Sequence, residues 1–290
     1  MKVLVTGAAG FLASRIIKEL VRRGEEVVGL DVRGGDYTAG ARYVVADIVD
    51  PKLPAHVDGP FDCVIHMAAV AAPLLCESDP RRALDINVTG TLNVLKLAVA
   101  RGAQKFVFAS SAHVYGISPR YMPTDERHPL WLQDTYTTSK LLGEKLCELF
   151  SDNHGISCTV LRLFNGYGPG QSAGYFIPDM IAKAKAGRIE MKGARVTKDF
   201  VFVDDVVRAF VAATTTLYSG AVNIGSGRET TLSEVATIIA NRMRVPLELL
   251  DYPPDRDTRM WCDPARAARV LNWTPETDLE VGMEATLRGI

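Results

Sequence analysis

Cysteine is sparse in this chain and never paired: Cys63, Cys76, Cys147, Cys158 and Cys262 are scattered, with no CxxC spacing. An odd, dispersed set excludes a disulfide framework and reads as reduced, packed thiols of a reducing compartment, so a cytoplasmic chain is expected. The 5 histidines are equally dispersed, and no His/Cys cluster has ligand spacing, so no metal site is expected. A basic surplus is missing too. Lys+Arg number 33 against Asp+Glu 34, which excludes a nucleic-acid binder held by net charge and any like-charge tail. No apolar stretch approaches the ~20 residues of a membrane helix. Met1 runs straight into the strand-like segment 2–6, so neither a signal segment nor a membrane partner is expected.

What is present is core material: 47% of the 290 residues are apolar, enough for one large or two modest domains. Short β-branched runs at Val3–Thr6, Glu26–Asp31, Tyr43–Val45, Asp62–His66, Lys105–Ala109 and Cys158–Leu163 predict strands. Between them Phe11–Arg23, Pro80–Arg101 and Asp134–His154 carry helical spacing. The first two strands are nearly continuous apolar runs, as parallel strands covered on both faces should be. The alternation predicts an α/β fold, a doubly wound parallel sheet of Rossmann type. After about Asn165 glycines crowd the chain and helices shorten: Ile177–Ala186, Asp204–Thr215, Leu232–Arg242, Pro264–Leu271 and Leu279–Arg288. Residues 1–165 are therefore expected to form a dinucleotide-binding domain and 166–290 a smaller, mostly α substrate domain. The strand-like Lys198–Val203 and Ala221–Ile224 are placed as possible returns to the first sheet.

Thr6-Gly7-Ala8-Ala9-Gly10-Phe11-Leu12-Ala13 sits between the first strand and the first helix. Glycine is needed there for a sharp turn and for close approach to a pyrophosphate, while the helix N-terminus supplies N–H donors. Asp31 ends the second strand, 21 residues after Gly10. A carboxylate there accepts ribose hydroxyls and repels a 2′-phosphate, which favours NAD; Arg33 beside it either holds such a phosphate or is a solvated loop arginine. Asp47 either meets the adenine edge or caps a turn.

Tyr136 and Lys140 are four apart at the start of a helix and share one face. A phenol is a poor base near neutrality; a neighbouring ammonium and a positive nicotinamide ring are expected to lower its pKa, so that it takes a proton from a hydroxyl as hydride leaves the same carbon. Ser110, Ser111 and His113 fall at the carboxyl end of a strand, where open α/β sheets bind ligands. Ser111 shares a hydrogen bond with the reacting oxygen, Ser110 is read as structural, and His113 as a positioning residue against the substrate.

With these pieces in order, the chain resembles the extended short-chain dehydrogenase/reductase family, in its NAD-dependent epimerase/dehydratase branch. The resemblance runs over nearly the whole length: TGAAGFLAS at Thr6–Ser14, VIHMAA at Val64–Ala69, NVTGTLNVL at Asn87–Leu95, SSAHVYG at Ser110–Gly116, YTTSK at Tyr136–Lys140, LRLFNGYGPGQ at Leu161–Gln171, KDFVFVDDVV at Lys198–Val207 and NIGSG at Asn223–Gly227. It implies Ser111, Tyr136 and Lys140 as catalytic residues. Gly7, Gly10, Phe11, Leu12, Asp31, Asp47, Ile48, Ala68, Ala69 and Asn87 then match positions lining NAD, with Tyr136 and Lys140 beside it. Asn165, Lys198 and Arg259 match positions on a substrate diphosphate; the family usually has Arg where this chain has Lys198. Asp204 and Asp205 are read as a helix start. The resemblance also implies a homodimer through the helices Pro80–Arg101 and Asp134–His154.

Departures from the family pattern narrow the reaction. Sugar 4,6-dehydratases carry Asp and Glu after the catalytic hydroxyl, and the decarboxylating branch carries Glu at the second position; here Ala112 and His113 stand there. What remains resembles UDP-glucose 4-epimerase-like enzymes, implying a nucleotide-diphosphate sugar, with UDP-hexose first, epimerised through a transient 4-ketone. A 4-keto-6-deoxy nucleotide-sugar reductase, a 4,6-dehydratase and a non-catalytic Rossmann sensor are the alternatives, in that order.

Overall fold

The computed structural model describes residues 1–35 and 38–288; the last two residues of the expected second domain lie outside the described residues. Strands β1 (Lys2–Thr6), β2 (Glu26–Asp31), β3 (Arg42–Val45), β4 (Cys63–His66), β5 (Lys105–Ser111), β6 (Ser157–Leu163), β7 (Asn165–Tyr167), β8 (Ile189–Met191), β9 (Thr197–Lys198), β10 (Phe200–Phe202), β11 (Gly220–Ile224), β12 (Thr230–Thr231) and β13 (Leu247–Leu249) alternate with helices. These are α1 (Phe11–Arg22), α2 (Leu53–His56), α3 (Pro73–Ser78), α4 (Pro80–Leu84), α5 (Thr91–Ala100), α6 (Thr135–His154), α7 (Phe176–Lys185), α8 (Val203–Ala213), α9 (Leu232–Met243), α10 (Ala265–Leu271) and α11 (Leu279–Arg288).

Seven strands form one parallel sheet in the order β11-β6-β5-β4-β1-β2-β3. The chain order reverses between β1 and β4, and that switch point is where such sheets open a ligand crevice at their carboxyl ends. Side-chain alternation divides the core. Val3 and Val5 pack on one face with Ile16 and Leu20 of α1 and Phe210 of α8, while Leu4 joins Val94 and Leu97 of α5 on the other. A third core gathers Tyr167, Ile181, Phe200, Phe202, Ile239 and Met283 from the later part of the chain.

Two expectations are corrected. Pro80–Arg101 is not one regular helix: α4 and α5 are joined by a wider π-helical turn, Asp85–Gly90. Such a turn re-aims side chains, and here it carries Asn87. Lys198–Val203 is not one strand and does not enter the large sheet. It is split at Asp199 into β9, antiparallel to β12, and β10, parallel to β7. The buried Asp199 carboxylate takes the Ser226 N–H and hydroxyl and the N–H groups of Gly227 and Cys262, and this clamp breaks the ladder. Gly220–Ile224, by contrast, does extend the sheet beyond β6. The five cysteines are buried and free.

Helix α6 is tightly specified. Asp134 caps it by accepting the Thr137 N–H at 2.7 Å, Thr137 returns a bond to the Asp134 N–H, and Gly155 ends it in the left-handed region at φ 68°. Gly143 lets it lie flat on the sheet: a Cβ there would stand 2.4 Å from Cζ of Phe108. Ala ordinarily favours a helix by about 1 kcal/mol over Gly, whereas overpacking a core costs about 1–3 kcal/mol. Gly143→Ala is therefore expected to lower stability by about 1–2 kcal/mol; a variant as stable as wild type in urea unfolding would contradict the close seating of α6.

Candidate functional site

Every chemistry-bearing segment arrives at the carboxyl edge of the sheet. Gly7 follows β1 with φ 70°, and a Cβ on it would meet the Ala68 nitrogen at 2.8 Å. Only glycine brings these two loops together. Gly10 donates its N–H to the Gly7 carbonyl at 2.8 Å and begins α1 with no side-chain cap and no acidic residue in the first turn. The open N–H groups of that turn and the positive helix end suit a pyrophosphate. Asp31, 8% exposed at the end of β2, accepts the Ala9 N–H at 3.0 Å and the Arg33 N–H at 2.9 Å, with Nε of Arg33 at 3.3 Å. It thus anchors the glycine turn and keeps acceptor capacity for a hydroxyl. Asp47 caps its own turn by accepting the Val49 N–H. Ile48 is buried against Gly90, its carbonyl taken by Asn93. These residues fit a dinucleotide.

Thr6 and Asn87 show more than the sequence revealed. The Thr6 hydroxyl bonds Nδ1 of His66 at 2.7 Å and accepts the N–H groups of Met67 and Ala68, which fixes the loop leading to Ala69. Asn87 accepts the Val70 N–H at 2.8 Å, donates to the Val70 carbonyl at 3.0 Å, and donates to the Ser139 hydroxyl at 2.9 Å. Ser139 donates in turn to the Tyr136 carbonyl. Asn87 thereby locks the β4 loop to the turn of α6 that carries Tyr136 and Lys140.

Ser111 ends β5, and its oxygen accepts the His113 N–H at 3.2 Å, leaving its own proton for the Tyr136 phenol. Lys140 is buried, with Nζ on the Ala109 carbonyl at 2.9 Å and over the rings of Phe108 and Tyr136 at 5.4 and 5.9 Å. Burial brings the Lys140 ammonium down to about 8. Burial also raises the Tyr136 phenol above its ordinary range, against a partial pull downward from the Ser111 hydrogen bond. The expected lowering by Lys140 is therefore not what governs this phenol: the amine is spent on Ala109, and desolvation dominates.

Ser111, His113 and Tyr136 share a cleft of about 280 Å³ with Phe11, Leu12 and Asn165. It is also lined by Gln171, the last residue of the LRLFNGYGPGQ motif, and by Tyr175, Phe176 and Met260, to which the sequence reading assigned no role. The His113 and Tyr136 rings stand nearly perpendicular with centroids 6.2 Å apart, and burial first, then Lys198, keeps that imidazole below its usual pKa. Asn165 donates N–H and Nδ2 to the Asp199 carbonyl, both at 3.0 Å. Lys198 adjoins that clamp without lining the cleft. Arg259 lies farther out, forked on Glu229 at 2.7 and 2.9 Å and stacked over Trp261 at 5.2 Å. Neither cation is in the cleft lining, but the charge of Lys198 reaches His113 in its wall.

A doubly wound parallel sheet with a glycine turn after its first strand, and a serine, tyrosine and lysine brought together at its carboxyl edge, are the fold and arrangement of a dinucleotide-binding Rossmann enzyme. The chain belongs to the NAD dependent epimerase/dehydratase family, which matches residues 3–225, and the cofactor of that family is NAD. It is 35% identical to a putative UDP-glucose 4-epimerase of Methanocaldococcus jannaschii, covering 97% of this chain and 96% of that one. It is 33% identical to a UDP-glucose 4-epimerase of Mycolicibacterium smegmatis (99% and 97%) and 28% identical to UDP-glucuronic acid decarboxylase 6 of Arabidopsis thaliana (98% and 87%). Among solved structures, the UDP-glucose 4-epimerase of Thermotoga maritima with UDP-glucose superposes with a TM-score of 0.89 at 28% identity, over 100% of this chain and 98% of that one.

Because any Cβ at Gly7 enters the Ala68 backbone, Gly7→Ala is expected to weaken NAD binding at least about tenfold, or roughly 1.4 kcal/mol. Equilibrium dialysis against NAD reads this directly, and an unchanged Kd would refute the pairing of the two loops as the cofactor cradle.

Proposed function

We propose that the protein is an NAD-dependent nucleotide-sugar 4-epimerase acting on a UDP-hexose. The observation that carries this reading is the cleft wall. Ser111 and the Tyr136 phenol face it together, while Ala112 and His113 occupy the positions where elimination or decarboxylation in the family uses carboxyl groups. Among the described residues lining the cleft there is no Asp or Glu.

As the phenolate, Tyr136 takes the proton of the sugar 4-hydroxyl, with Ser111 hydrogen-bonded to the same oxygen. NAD, when bound, would supply the hydride acceptor and donor, and its positive nicotinamide ring would favour the phenolate form of Tyr136. Lys140 would hold the ribose hydroxyls. The mostly apolar walls let the 4-keto sugar turn over without being fixed by charge, and Tyr136 then returns the proton to the other epimer. Asn165 is assigned to the substrate diphosphate, with Lys198 and Arg259 as outer cations. A second copy packed on α5 and α6 belongs to this reading, since Leu142 and Leu149 lie exposed, two turns apart, on α6.

Incubation with NAD and UDP-glucose, followed by proton NMR, is expected to give UDP-galactose without net NADH. Release of carbon dioxide from UDP-glucuronate, or stoichiometric consumption of NADPH with a 4-keto sugar, would replace this reading. Tyr136→Phe is expected to lower kcat by about 10²–10⁴-fold with NAD affinity retained; a fully active variant would remove Tyr136 from its role.

A further inference from the structure

At the switch point of the sheet, between β1 and β4, Thr6 stands opposite His66 in the register of the two strands. His66 is buried, and both of its ring nitrogens are engaged. Nδ1 lies 2.7 Å from the Thr6 hydroxyl, and Nε2 lies 2.9 Å from the hydroxyl of Thr91, the first residue of α5. Counting protons from either end fixes what each nitrogen carries. The Thr6 oxygen accepts the N–H groups of Met67 and Ala68, both at 3.2 Å, which fill its two lone pairs. Its own proton is left for Nδ1, so Nδ1 is bare. At the other end the Thr91 hydroxyl donates to the Asn87 carbonyl at 2.6 Å; its oxygen is left to accept, so Nε2 carries the hydrogen. Both ends agree on one neutral tautomer, and a charged ring would set an Nδ1–H against the Thr6 proton. Burial in the first place, then Lys140, acts in the same sense and lowers the imidazole to about 3.

Beyond Thr91 the bonds continue without a break. Asn87, on the π-helical turn, donates through Nδ2 to the Ser139 hydroxyl at 2.9 Å, and Ser139 donates to the Tyr136 carbonyl at 2.8 Å. Every donor in this run points the same way, from Thr6 just before the glycine turn to the turn of α6 that carries Tyr136. Thr6, His66, Thr91, Asn87 and Ser139 are all buried, where a polar group left without its partner is costly.

We propose that His66 is a positioning residue for the reaction: as the neutral Nε2–H tautomer it keys the loops after β1 and β4 to the π-helical turn and, through Asn87 and Ser139, to the turn that presents Tyr136. This role deepens the epimerase reading and depends on it only for the second measurement below.

The first measurement uses the intact protein without substrate. In protein labelled with ¹⁵N-histidine, the His66 ring is assigned by its loss in His66→Gln. Should that variant not fold, contacts of its ring protons with Phe106 and Phe108, whose centroids lie 5.9 Å away, assign it instead. Two-bond proton–nitrogen correlations at neutral pH are expected to show a bare Nδ1 and a protonated Nε2. An Nδ1–H tautomer or a doubly protonated ring overturns the proposal. The second measurement is epimerisation by Thr91→Val, which removes the partner of His66 and the donor to Asn87 at a position buried outside the cleft lining. It is expected to lower kcat about tenfold, with KM and the Kd for NAD within about twofold of wild type, and Thr91→Ser is expected to restore kcat. Should Thr91→Val not fold, Ser139→Ala cuts the run beside Tyr136 and is expected to lower kcat likewise. A purely structural network would cost stability and leave kcat unchanged in the folded variant, and that result overturns the proposal, as does a Thr91→Ser as slow as Thr91→Val. An inactive wild type would count against the epimerase reading and leave the tautomer measurement to decide.

Discussion

An ammonium taken out of water is among the more expensive things a protein can bury, with an effective cost of several kcal/mol per ion. Lys140 bears that cost in the seam between α6 and β5, where the Ala109 carbonyl and the faces of Phe108 and Tyr136 compensate it. Each of those compensations depends on α6 lying close to the sheet, which is possible because Gly143 has no side chain to hold it off Phe108. The Asp134 cap fixes where the helix begins and hence which turn presents Tyr136. Shift the helix by a fraction of an ångström, and the amine loses partners before anything else in the site changes. The distance from Tyr136 to Ser111 is set by the same seam.

On the other side of the cleft a second buried charge plays the corresponding part, balanced in a different way. Among the described residues no cation forms an ion pair with Asp199; four N–H and O–H donors from Ser226, Gly227 and Cys262 converge on its two oxygens. Burial nonetheless outweighs these bonds and raises its pKa. Its carbonyl receives both donors of Asn165. A single peptide unit therefore joins the end of β9, the start of β7 and the loop beyond β11. The two halves of the cleft are in this sense built alike, each around one polar group whose burial is tolerable only if the surrounding segments stay where they are.

How much of this was legible in the sequence follows the range of the interactions involved. The parallel sheet was readable because burial on both faces forces continuous apolar runs, and the glycine turn because its geometry is local. Helix α6 was readable for the same reason, cap and spacing lying within the helix itself. The split at Asp199 was not, since the donors that break the strand come from residues 27 to 63 positions away. The forked pairing of Arg259 with Glu229 spans 30 positions and is likewise invisible to spacing. Asn87 was placed at the cofactor by resemblance alone. Its ties to Val70 and Ser139 emerge only once the π-helical turn aims it across the gap.

The electrical character of the cleft bears on which chemistry it can perform. Burial lowers the His113 imidazole and raises the phenols of Tyr136, Tyr167 and Tyr175, so each titratable group on the described walls is driven toward its neutral form. An elimination that expels water needs a base and a separate proton donor on neighbouring atoms of the substrate. Among the described residues lining the cleft no carboxyl group stands beside Ser111 and Tyr136 to take either part. The cleft can, however, support one proton leaving and returning at one oxygen, because the only group that must ionise is Tyr136, whose phenolate oxygen is the one that Ser111 already contacts. Reversible oxidation at a single carbon places the least demand on such a cleft, and the absence of fixed charge on its walls is what leaves a keto-sugar free to present its other face.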